Sequence, residues 1–100
     1  MTGHVLLSFA CATSDVEPLV DALRAVTDLP IHVRDEIVRG IDFADAGTSE
    51  RVSGALRRAA IELLIPAGSV WLCTNAVANA RRRLPVRWRV TPVLEQGRIA

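Results

Sequence analysis

Arginine carries most of the chemistry this sequence offers. Every one of its twelve cationic residues is Arg and none is Lys. Guanidinium groups suit bidentate contacts with phosphate or carboxylate. Arg87 and Arg89 stand two apart in an alternating run, so they leave one face of a strand together. Arg98 follows them, and Arg57 and Arg58 precede them at a distance. Arg57, Arg58, Arg87, Arg89 and Arg98 are the candidate anion site. The competing reading is a solvated or ion-paired face, with a GC-rich genome behind the Arg bias. Arg81, Arg82 and Arg83 close a helical pattern, where cations complement the helix dipole.

A second polar concentration lies between residues 42 and 53. Asp42, Asp45, Thr48, Ser49, Glu50 and Arg51 make it the most polar part of the chain, and Gly47 lends it turn character. Loops of this kind carry function, so these six residues form the candidate switch loop. Metal and catalytic chemistry find less support. His4, His32, Asp42, Asp45 and Glu50 are available ligands, but no pair has a recognisable metal spacing. Cys11 and Cys73 fall in apolar surroundings and read as buried free thiols. No Ser–His–Asp order, Cys–His pairing or carboxylate pair stands out. The expectation is a non-enzyme without cofactor or metal.

One hundred residues make a single domain. Half of them are apolar but only 4% are aromatic, so Val, Leu, Ile and Ala must build the core. An apolar share this high in a short chain points to apolar surface in a subunit interface. The formal charge of +1 gives no global argument for nucleic acid or a membrane surface. VLLSFACA resembles a short signal-peptide core, but Met1 to His4 carry no Lys or Arg. It reads as a strand, and no segment is long enough to span a bilayer. The expected location is the cytoplasm.

These groups need elements to position them. Val5 to Ala10 is a strand apolar on both faces, hence central or covered twice. A helix follows from about Asp15 to Val26, with Val16, Leu19, Val20, Leu23 and Val26 as its stripe. Pro18 favours Asp15 as the N-cap, because it then takes a position whose N–H is free anyway. Ile31 to Phe43 alternates as a second strand region, with Asp35 and Glu36 breaking the rhythm as a bulge or tight turn. A second helix runs from about Gly68 or Ser69 to Arg82. Val86, Trp88 and Val90 alternate with Arg87, Arg89 and Thr91 in a last strand.

The segment before Pro66 reads two ways. Val52, Ala55, Leu56, Ala59, Ala60, Leu63 and Leu64 recur at helical spacing, and pattern alone favours a helix. Ala59, Ile61, Leu63 and Ile65 alternate equally well with Arg58, Ala60, Glu62 and Leu64. As a strand it completes the order β-α-β-β-α-β, the ferredoxin-like arrangement. Fold analogy then leaves a small dimeric ferredoxin-like enzyme, of oxygenase or isomerase type, as an alternative function.

SERVSGALRR with the apolar run to Pro66, and the ending WRVTPVLEQGRI, resemble a family of uncharacterised bacterial PII-like proteins. These are often encoded beside heavy-metal efflux pumps of the resistance-nodulation-division type. The resemblance implies an α+β fold, a ferredoxin-like βαββαβ sandwich with a four-stranded antiparallel sheet and two helices on one face. It assigns the disputed segment to a strand, and it implies a PII-like trimer. PII proteins are sensors whose clefts between subunits take small ligands, usually adenine nucleotides, and whose long loop docks on a transporter or enzyme. By that resemblance residues 42–53 match the loop, although shorter, and Ala60 and Leu64 face the trimer core. Arg58 and Glu62 would find partners there, across the subunit boundary. RRRLPVR, after the second helix, lacks the glycines of the PII phosphate-binding connection. The function implied is a cytoplasmic regulatory or adaptor homotrimer, with a small-molecule ligand and a metal-efflux transporter as partners and no nucleic acid.

Overall fold

The computed structural model describes residues 3–39, 55–81 and 85–100. The candidate switch loop, Asp42, Asp45, Thr48, Ser49, Glu50 and Arg51, lies outside them, as do Arg82 and Arg83.

Among the described residues, four strands and two helices follow one another as β1 (His4–Ala12), α1 (Val16–Arg24), β2 (His32–Arg39), β3 (Ala55–Pro66), α2 (Val70–Ala80) and β4 (Arg87–Pro92). Short 3-10 turns, Thr13–Asp15 and Ala67–Ser69, lead into the helices. The sheet order is β2-β3-β1-β4, with every neighbouring pair antiparallel. This is the ferredoxin-like sandwich, and β1 is central as its two apolar faces require.

Period two governs β3, and the helical reading of its sequence is overturned. Leu63 lies opposite Leu7, Ile61 opposite Phe9 and Ala59 opposite Cys11. These odd-numbered residues join Leu19 and Leu23 of α1 and Cys73 and Val77 of α2 in one buried core. The helical stripe arose because the other face also carries Ala60 and Leu64. A strand apolar on both faces offers i, i+3 and i+4 matches as readily as i, i+2 ones.

Two further expectations change. The register between β2 and β3 runs unbroken from His32–Glu62 to Arg39–Ala55. Asp35 and Glu36 therefore form neither bulge nor turn; they leave opposite faces of a regular strand. Helix α1 ends at Arg24, earlier than its stripe suggested. Its N-cap is Asp15, which places Pro18 in the first turn where no N–H is needed, though the Asp15 side chain makes no capping bond. Both cysteines are buried and free.

The two described helices cover one face of the sheet. Register puts Leu6, Ser8, Ala10 and Ala12 of β1 on the other face, beside Arg58, Ala60, Glu62 and Leu64 of β3. Arg34, Glu36 and Val38 of β2 and Arg87, Arg89 and Thr91 of β4 complete it. This open face is the surface on which the candidate residues meet.

Candidate functional site

Strand alternation sorts the five candidate arginines. Arg58, Arg87 and Arg89 share the open face, because they pair with Ala12, Ala10 and Ser8 of β1. Arg57 lies opposite Ile37 and belongs to the helix-covered face. Arg98 sits in the exposed tail beyond β4. The fold thus brings three of the five to one surface and leaves two elsewhere. Arg81 forms the C-cap of α2, where its backbone N–H bonds to the Val77 carbonyl at 2.9 Å.

At the centre of the open face, Glu62 gathers three strands. The Ser8 hydroxyl of β1 donates to its Oε2 at 3.1 Å. The Arg34 guanidinium of β2 donates to both carboxylate oxygens, with Nη2 at 3.4 Å from Oε2. Arg34 also lies 3.5 Å from Glu36 on its own strand. The hydrogen bond from Arg34 is the chief cause that holds the Glu62 carboxyl below its ordinary range, against the opposing effect of burial; Ser8 and the charge of Arg89 add to it. A carboxylate with these donors stays ionised at neutral pH. Its partners lie within the same chain, so Glu62 does not depend on a neighbouring subunit for them.

Beside this cluster lies a depression of about 530 Å³. Ala10 and Ala60, opposite one another in register, form part of its floor. Glu36 lines it from the β2 side, and Arg87 and Arg89 from the β4 side. The small alanines leave the room, and the two edge strands supply opposite charges. Arg58 is 5% exposed, so its guanidinium is buried at the end of the same face. It donates to the Arg57 carbonyl at 3.0 Å. Such a surface can hold an anion through guanidinium groups. Among the described residues no group of three His, Cys, Asp or Glu side chains could hold a metal ion.

Trp88 lies opposite Phe9 on the helix side, as its alternation with Arg87 and Arg89 required. It remains 55% exposed because β4 is an edge strand. Sequence reasoning passed over Arg34, Glu36 and Ser8. Their parity was the available signal: even-numbered residues of β1, β2 and β3 all fall on the open face. The supposed break at Asp35 and Glu36 hid that parity in β2.

The sandwich and its open sheet face define a PII-like fold. An Arabidopsis thaliana PII protein bound to citrate matches with a TM-score of 0.71 at 12% identity, over 92% of this chain and 78% of that one. A Bacillus cereus protein related to NIF3 matches with a TM-score of 0.68 at 13% identity, over 97% of this chain but 28% of that one. No curated protein matches the sequence. The chain belongs to the DUF3240 family, described as proteins of unknown function, whose model matches residues 1–100. A DUF3240 family protein from Shewanella baltica has the same fold, with a TM-score of 0.79 at 17% identity over the whole of both chains.

Proposed function

We propose that this protein is a PII-like regulatory or adaptor homotrimer. It senses a small anionic ligand at clefts between subunits and passes the signal to a membrane transporter of a metal-efflux system. The observation that carries the proposal is the open sheet face. Antiparallel sheets that face water are polar on that side. Here Leu6, Ala10, Ala12, Ala60 and Leu64 form an apolar strip that neither described helix covers, with Ala12 and Ala60 already buried and Leu6, Ala10 and Leu64 half-buried. A second copy would bury it. The depression bounded by Glu36, Arg87 and Arg89 would then lie at the subunit boundary. Its guanidinium groups supply the anion chemistry, and no reaction is assigned to the site.

The fold of the Arabidopsis PII protein supports the regulatory reading, and the resemblance in SERVSGALRR and WRVTPVLEQGRI supports the transporter partner. The proposed contact with the transporter is made from the cytoplasm. Among the described residues no helix is long and apolar enough to cross a membrane.

Light scattering without ligand, and then with ATP, ADP, zinc or copper, is the first test. A trimer is expected under all conditions. Calorimetry then asks whether a polyanion binds and whether Arg87→Ala with Arg89→Ala weakens that binding at least tenfold. A monomer throughout, or binding unaffected by both substitutions, overturns the proposal.

A further inference from the structure

A second cleft opens on the helix-covered side of the sheet, between α2 and β4. Val77, Ala78 and Arg81 line it from the helix, and Pro85, Val86 and Trp88 from the strand and its approach. Its volume is about 320 Å³, at the small end of the roughly 300–1,000 Å³ usual for ligand pockets. Two aromatic residues face one another across β1 and β4, and the core uses only one of them. Phe9 is 1% exposed, whereas Trp88 keeps 55% of its surface open. Ala78 is small, so the helix leaves room beside the indole that a longer side chain would fill. Arg81 is the single charged group among the described lining. It is exposed, and no described carboxylate forms an ion pair with it. Its hydrogen bond to the Val77 carbonyl uses the backbone N–H and leaves the guanidinium out.

We propose that this cleft binds a small aromatic monocarboxylate. The ring lies against the Trp88 indole, where aromatic pairs gain beyond simple burial, and Val77, Ala78 and Val86 enclose it. The carboxylate meets the Arg81 guanidinium, whose fork matches its two oxygens. One cation in an apolar cleft selects one negative charge; a polyphosphate would find no second partner among the described lining residues. Val86 and Trp88 border the open-face depression as well, but the charged groups divide between the two hollows. Arg87 and Arg89 leave the open face, and Arg81 belongs to the cleft. The inference therefore does not rest on the sensing role.

The test follows Trp88 in the full-length protein. Trp71 is the other of the two tryptophans and is 73% exposed, so Trp71→Phe lets the indole emission report on Trp88 alone. Phenylacetate is titrated, with phenylacetamide and acetate as controls. Phenylacetate should give a saturable change with a dissociation constant of roughly 1 mM or tighter. Loss of the charge in the amide, or of the ring in acetate, should weaken binding by about tenfold or more. Arg81→Gln should weaken phenylacetate by about tenfold or more and erase its advantage over the amide. Ala78→Leu should fill the cleft and abolish the saturable change. Both substituted side chains are exposed, so the fold should stand, which circular dichroism checks. No saturable change in the Trp71→Phe protein overturns the inference. So does equal affinity for phenylacetate and its amide, or binding that survives both substitutions.

Discussion

Leu63 and Leu64 are adjacent in β3, and the fold assigns them to different surfaces. Leu63 is fully buried among the helix-facing residues, opposite Leu7. Leu64 is half-buried on the open face, opposite Leu6. Truncating each to Ala removes the same atoms from the two surfaces. At Leu63 the loss of transfer energy adds to a cavity that the packed core cannot close, and about 3–5 kcal/mol is expected. A domain of this size has ~5–15 kcal/mol in total. The melting temperature should fall by roughly 4–8 °C per kcal/mol, so a drop of at least about 12 °C is expected. At Leu64 the protomer should lose about 1 kcal/mol, because that side chain is only partly withdrawn from water. Its main effect should appear in association. Urea titrations followed by circular dichroism, at several protein concentrations, separate the two effects, because coupled association makes the midpoint concentration-dependent. Leu63→Ala should lower the midpoint at every concentration. Leu64→Ala should weaken the concentration dependence. Equal, concentration-independent losses at both positions would refute the assignment of the two faces.

Three further outcomes follow from the side-chain environments. Glu62 is held below its ordinary range by Arg34, so its contribution to stability is full above the unfolded carboxylate value of about 4.3 and is lost as pH falls through the lower folded value. Wild type should therefore lose more stability than Glu62→Gln between about pH 5 and pH 3, read as the midpoint shift in urea. Burial pushes the Cys11 thiol up to about 11. Its neutral form is favoured in the folded state, so stability should decline as pH rises from the ordinary thiol value of 9.0 toward 11, and Cys11→Ala should flatten that decline. Both thiols should react with an alkylating reagent on the timescale of unfolding and not before, since Cys11 and Cys73 are 0% and 1% exposed; prompt modification of either in the native protein would contradict their place in the core.

The elements with one unambiguous period were legible from sequence. Helix α1 shows a stripe of Val16, Leu19, Val20 and Leu23 with Glu17, Asp21 and Arg24 opposed, and Asp15 with Pro18 marks its start. Strand β4 alternates Trp88 and Val90 with Arg87 and Arg89, which fixed their faces correctly. Strand β3 was legible only through its place in the β-α-β-β-α-β order and through family resemblance. Its open-face residues Ala60 and Leu64 are as apolar as Ile61 and Leu63, so periodicity had no contrast to detect. The site was legible in part for a different reason. Shared parity links Arg87 to Arg89 within one strand, but nothing local links them to Glu62 or Arg34. That association depends on the register of three strand pairs, a tertiary quantity that no local pattern encodes. Arg57 and Arg58 show the same point, since adjacency in a strand separates them.

The open face constrains how copies can assemble. Ala60 is already buried there, but Leu6, Ala10 and Leu64 are only half-buried, and neither described helix covers them. An isologous contact that paired two open faces would leave a third copy no place. Sheets that turn their open faces toward a common axis withdraw the strip in every copy at once. A closed ring of few subunits is such an arrangement, and so is the proposed homotrimer. Leu64→Ala should therefore shift the population toward smaller species, without producing filaments.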